Sequence, residues 1–136
     1  MRFFDTNILL YAIDGTESVK RRIAENAIRK AIVNRDAAVS IQVLTEFSNV
    51  AIRKFGQPPD AVRHQVSTLA QRLVFVEPRV AHLLRAIEIH AFCQISIWDA
   101  LIVAAAEASG CDTILSEDLN PGQSYCGIRV ENPFKK

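Results

Sequence analysis

Apolar residues gather in five short runs, near Arg2 to Phe4, Ala37 to Ser40, Leu73 to Val76, Thr113 to Leu115 and Gly127 to Val130, and each has the length of a strand. Between most of them the apolar spacing lengthens to about three or four residues, the period of a helix with one buried face. Val19, Ile23, Ala27, Ala31 and Ile32 follow it, as do Leu44, Phe47, Ser48, Ala51, Ile52 and Phe55, and again Val80, Leu83, Leu84, Ile87 and Ala91. Trp98 to Ala108 is apolar almost all round and therefore predicts a helix buried on most sides. Asp14-Gly15, Gly56-Gln57-Pro58-Pro59, Gly110 and Asn120-Pro121-Gly122 mark turns or helix stops. Strands that alternate with helices, and are too apolar to face water on either side, predict an α/β fold: a three-layer α/β/α arrangement around a mainly parallel central sheet. Ligands in such sheets collect beyond the carboxyl ends of the strands.

Several carboxylates interrupt this pattern where an apolar run ends or turns. Asp5 closes Phe3-Phe4, and Asp99 follows Ile97-Trp98 and precedes Ala100-Leu101-Ile102-Val103. A charge at such a boundary needs a partner, and a divalent cation is one. Each acid also has a plainer role open to it. Asp5 suits a helix cap or an Asx turn. Glu46, in the helix expected from Ile41 to Lys54, falls at the edge of the apolar arc beside Val50, where a solvated glutamate or a salt bridge with Arg53 is equally natural. Ser96-x-x-Asp99 has the form of a capping box, although an acid in the first helical turn is also kept ionised by the helix dipole. In Ser116-Glu117-Asp118, just before the Asn120-Pro121-Gly122 turn, the plainer role is a turn-forming Asp. Alternation along an extended backbone puts Ser116 and Asp118 on one side and Glu117 on the other, which favours Asp118 as the site acid with Ser116 supporting it.

The 136 residues carry no composition break, repeat or low-complexity stretch, and a single domain over 1–136 is expected. The formal charge of +1 neither requires nor excludes a polyanionic partner. Cys93, Cys111 and Cys126 are odd in number and lack Cys-x-x-Cys spacing, which argues against a disulfide framework or structural zinc and fits a cytoplasmic setting. No signal-like or membrane-length apolar run is present. His64, His82 and His90 lack ligand spacing and are expected on helix surfaces or in ordinary hydrogen bonds.

Taken in order, Phe4-Asp5-Thr6-Asn7, Leu44-Thr45-Glu46-Phe47, Ile97-Trp98-Asp99-Ala100-Leu101-Ile102 and Leu115-Ser116-Glu117-Asp118-Leu119 resemble the acidic motifs of PIN-domain nucleases, the VapC toxins of toxin–antitoxin systems in particular. The ending Gly127 to Phe134 is similar to theirs as well. The resemblance implies a PIN-like fold and a metal-dependent endoribonuclease leaving 5′-phosphate and 3′-hydroxyl ends. It implies Asp5, Glu46, Asp99 and Asp118 as catalytic acids, Thr6 and Ser116 as polar supports, and Asp5 and Asp99 as ligands for Mg2+ or its substitute Mn2+. Hard oxygen ligands suit those ions. It further implies a cognate antitoxin whose tail lies over the acids.

An RNA substrate needs cations to pass a negative pocket. Lys20-Arg21-Arg22 with Arg29 and Lys30 forms one basic group, ordinarily a solvated helix face. Arg53, on the Glu46 flank, is the better candidate for phosphate contact. Trp98 could stack on a base but is expected in the core. The run Val80 to Phe92, apolar on more than one face, predicts a homodimer. An inactive PIN-fold binding module is the non-enzymatic alternative. Aspartate-based phosphotransfer is disfavoured because Asn7 stands where a haloacid-dehalogenase-like phosphatase has its second aspartate.

Overall fold

The structure, a computed structural model, describes residues 1–135. Its elements are β1 (Arg2–Phe4), α1 (Thr6–Tyr11), α2 (Ser18–Asn34), β2 (Ala37–Ser40), α3 (Ile41–Arg53), α4 (Pro59–Arg72), β3 (Val74–Val76), α5 (Val80–Cys93), α6 (Ile97–Ala108), β4 (Thr113–Leu115), β5 (Ser124–Tyr125) and β6 (Ile128–Glu131). The strands form one sheet in the order β3-β2-β1-β4-β6-β5, with every pair parallel except β5 and β6. Successive side chains of a strand point to opposite faces, and Phe3 and Phe4 are both buried, so β1 is covered on both sides.

The connectivity explains the layers. The chain steps from β1 to β2 to β3 in one direction, then returns across the sheet to β4 on the far side of β1. Right-handed crossovers place the helices of outward and return paths on opposite faces. Accordingly α1 packs on α2 and α3, and α3 on α4, while α5 packs on α6. The direction reverses between β1 and β4, and there the carboxyl ends of adjacent strands open a crevice. Asp5 and Ser116 follow those two strands.

The five expected strands are present within a residue or so of their expected ends. Two elements escaped the pattern. Pro58-Pro59 reads as a stop, yet Pro59 occupies the first turn of α4, where a missing N–H costs nothing. Only Val62 of α4 is fully buried, so its apolar period is weak. β5 has two residues and exists because Cys126 and Gly127, at φ 52° and 83°, turn the chain back onto β6. Val19 was expected on the buried face of α2 but is exposed; Ala24 and Ala31 are its fully buried residues. Trp98, expected in the core, is 65% exposed at the start of α6, while Ala100 and Ile102 to Ala106 fill the core.

In α5, Ala86 and Ile89 are buried, and Val80, Leu83, Leu84, Ile87 and Phe92 are exposed. No single helix among the described residues is long and apolar enough to cross a membrane. The two faces of α5 predict unequal costs of truncation. Ile89→Ala should lower the unfolding free energy by about 2–5 kcal/mol in urea titrations, and Ile87→Ala by roughly 0.5 kcal/mol or less.

Candidate active site

Phe4 ends β1, and Asp5 is held there by three interactions. Its N–H donates to the Leu115 carbonyl at 3.0 Å, extending the β1–β4 ladder. Its Oδ1 accepts the Thr6 amide at 2.8 Å, which caps α1, and its Oδ2 accepts the Ser116 hydroxyl at 2.7 Å. The capping role weighed for Asp5 is therefore real, and it coexists with burial: the residue is 8% exposed. Burial pushes its carboxyl pKa above the ordinary value. The bonds from Ser116 and Thr6 pull the other way, and the nearby Asp118 and Glu46 charges raise it further.

Glu46 reaches this centre from α3. The Thr6 hydroxyl donates to its Oε2 at 2.8 Å, so one residue serves Asp5 through its backbone and Glu46 through its side chain. Gln42, one turn earlier, donates to Glu46 Oε1 at 3.3 Å and to the Trp98 carbonyl at 3.1 Å, linking Glu46 to the first turn of α6. Asp99 lies in that turn. Its amide donates to the Ser96 hydroxyl at 3.0 Å, so Ser96 supplies its half of the expected capping box. Among the described residues the Asp99 carboxylate makes no hydrogen bond and is not among the charges acting on Asp5.

The two adjacent acids after β4 part company. Ser116 is fully buried, and its backbone N–H is fixed to the Glu131 carbonyl of β6 at 3.0 Å. Its oxygen accepts the amides of Asp118 and Leu119 at 3.1 and 3.2 Å. The strand has ended at Leu115, so a hydroxyl-closed turn, not extended alternation, directs Asp118 toward Asp5. Asn7 completes the turn, donating to Asp118 Oδ2 and accepting the Glu117 amide, both at 3.1 Å. Glu117 faces elsewhere: it accepts Tyr11 Oη and Lys20 Nζ, each at 2.6 Å. Burial works against its charge, but the bonds from Lys20 and Tyr11 outweigh it and hold the Glu117 pKa low.

Asp5, Glu46 and Asp118 thus gather at the crevice between β1 and β4, with Thr6, Ser116, Asn7 and Gln42 as their polar frame. The sequence pattern assigns neither Asn7 nor Gln42 a part in this frame, although Gln42 precedes Glu46 by one helical turn, a spacing that signals contact. Arg53 is exposed at the end of α3. His64 and His90 are exposed and His82 half-buried; His90 Nδ1 meets the Ile95 carbonyl at 2.5 Å.

The PIN domain profile matches residues 2–122. The chain belongs to the PIN domain family. Among solved structures, this PIN domain is similar to a toxin–antitoxin complex from Klebsiella pneumoniae (22% identity, TM-score 0.72, 98% of each chain covered). It is also similar to VapBC2 from Rickettsia felis bound to a promoter DNA fragment (18% identity, TM-score 0.70, 96% of this chain and 97% of that one). A third likeness is to VapC20 of Mycobacterium tuberculosis, described as a Sarcin-Ricin loop cleaving toxin (17% identity, TM-score 0.57, 87% and 92% covered). At these identities the likeness establishes the fold. No curated protein sequence matches significantly. At family level, membership supports a nuclease, and PIN nucleases generally use divalent metal ions. Among the described residues, the acid side chains as they stand do not close on a single ion in a group of three or more.

Ser116→Ala tests the frame. It deprives Asp5 of a donor and leaves the Asp118 and Leu119 amides without their acceptor, so stability should fall by about 1–3 kcal/mol in urea titrations. The Asp5 pKa, followed by carboxyl carbon NMR, should rise further, because the Ser116 bond is the larger of the two that oppose burial.

Proposed function

We propose that this PIN domain is a metal-dependent endoribonuclease of the VapC toxin type, hydrolysing RNA phosphodiesters, with Asp5, Glu46, Asp99 and Asp118 as its catalytic acids. The observation that carries this reading is the state of Asp5: a buried carboxyl at the switch point of a parallel sheet, its charge opposed by burial and by Asp118 and Glu46. A cation relieves that opposition, and an all-carboxylate donor set suits Mg2+ or Mn2+. Asp5 and Asp99 would hold the ion, with Thr6 and Ser116 fixing the orientation of Glu46 and Asp5. When bound, the ion supplies Lewis-acid polarisation of the phosphoryl group and acidifies the attacking water. Arg53, on the Glu46 flank, would take an RNA phosphate. Support for an RNA substrate comes from the similar VapC20, and support for an antitoxin from the similar toxin–antitoxin complexes. A basic side chain of that antitoxin would occupy the acids in competition with metal. The exposed apolar face of α5 would pair with its copy in a homodimer.

Cleavage of labelled RNA should require Mg2+ or Mn2+ and cease with chelator. Asp5→Asn and Asp99→Asn should each lower the rate about a hundredfold or more, while Glu117→Gln stays near the parent rate because Lys20 and Tyr11 occupy Glu117. Parent-level cleavage by both Asn variants would remove the site. RNA binding by the parent with no cleavage under any divalent ion would make the chain a binding module.

Metal should also appear as stability. Because the folded Asp5 pKa lies above 3.8, its contribution to stability is complete below that value and is lost as pH rises through the raised one. Mg2+ should therefore raise Tm more at pH 8 than at pH 5, and at pH 8 a hundredfold excess over Kd should add about 2.7 kcal/mol of stability in all. Asp5→Asn should abolish most of that rise.

A further inference from the structure

The basic residues of α2 do not act as one group. Lys20 Nζ pairs with Glu117 at 2.6 Å and lies over the Tyr11 and Phe134 rings, 4.8 and 5.7 Å from their centroids. Arg21 pairs with Glu25 at 2.9 Å. Among the described residues, Arg22, Arg29 and Lys30 have no carboxylate within ion-pairing distance, and neither has Arg2. Arg2 opens β1, at the end of the strand opposite Asp5, and α2 descends to the same edge before entering β2. There the two elements frame a cleft of about 600 Å3 lined by Arg2, Asn26, Arg29, Lys30, Val33 and Asn34, with no acid among its lining residues. Arg29 is oriented within it, donating to Asn26 Oδ1 at 3.1 Å.

We propose that this cleft is a second nucleic-acid site, binding the phosphodiester backbone of RNA at the sheet edge opposite the acids. It extends the nuclease reading by saying where substrate outside the scissile region is held, and rests on that reading for the choice of RNA. Three cations line the cleft with no carboxylate within ion-pairing distance of them, a placement that favours a bound anion. A repeating anion fits better than a single one. Arg22 and Arg29 are seven residues apart, hence on one flank of α2 and about 10 Å apart along its axis, so the charge forms a stripe. The same helix begins beside Glu117, at the edge where the acids stand, so a strand lying along it leads from the cleft toward Asp5. The amides of Asn26 and Asn34 supply hydrogen-bonding groups between the cations, as phosphate and ribose contacts require.

The test is binding of a long labelled single-stranded RNA to the full chain in chelator, where cleavage plays no part, over a series of salt concentrations. The double variant Arg29→Gln/Lys30→Gln is compared with Arg63→Gln/Arg72→Gln, which removes the same charge from exposed positions on α4. Loss of two phosphate contacts should weaken binding on the order of tenfold at low salt and reduce the slope of log K against log salt by about 1.4. The α4 variant should match the parent. Equal losses in both variants, or none in either, would overturn the site, as would a parent that binds no RNA. Displacement of RNA by polyglutamate more readily than by unlabelled RNA would also overturn it, in favour of an acidic protein partner. A parent that binds with this signature yet cleaves nothing when metal is restored would keep the site and reject the nuclease reading.

Discussion

A carboxylate enclosed at the end of a central strand is the constraint around which this molecule is arranged. Asp5 cannot be left without partners, since burying an unpaired charge is far more costly than any single packing contact returns. The fold meets the demand with a backbone donor from α1 and a hydroxyl from the segment after β4. Those donors fix how α1 leaves the sheet and how the chain turns after Leu115. Even so, burial prevails and the Asp5 pKa stays raised. A carboxyl that is well bonded yet still opposed by its surroundings is one whose charged form a nearby cation would stabilise.

Ser116 is the second point of convergence. One hydroxyl donates to Asp5 and accepts two amides, so a single buried side chain sets the acid and closes the turn that carries Asp118. Its own amide is anchored to β6. Charge is sorted in the same region: Asp118 stays with the acids, while Glu117 is drawn to Lys20 and Tyr11, whose ring packs edge-on against Phe134 at 4.9 Å. That cluster ties the start of α2 and the C-terminal segment to the crevice without adding another negative charge beside Asp5.

The helices divide their labour by face. α6 is nearly all core, and α5 covers it with Ala86 and Ile89 while presenting Leu83, Leu84, Ile87 and Phe92 to solvent. An apolar face of this kind is costly in an isolated chain and is ordinarily a surface for association. α2 contributes little apolar surface to the core and a great deal of charge, part of it neutralised near the acids and part left free at the far edge.

The sequence by itself determined the layered fold, because apolar runs of strand length separated by helical periods leave few other ways to bury both faces of a sheet. It also determined that Asp5 and Asp99 stand at element boundaries, since an acid inside an apolar run has nowhere else to go. Local pattern could not reveal α4, whose prolines resemble a stop and whose buried face is thin, or β5, which exists only as a partner of β6. Nor could it show that Trp98 lies outside the core, because what covers the start of a helix depends on how α6 packs against the rest of the fold. The separation of Glu117 from Asp118 was decided by partners about a hundred residues away in the chain, Asn7, Tyr11 and Lys20, so the choice between two neighbouring acids was made by tertiary contact.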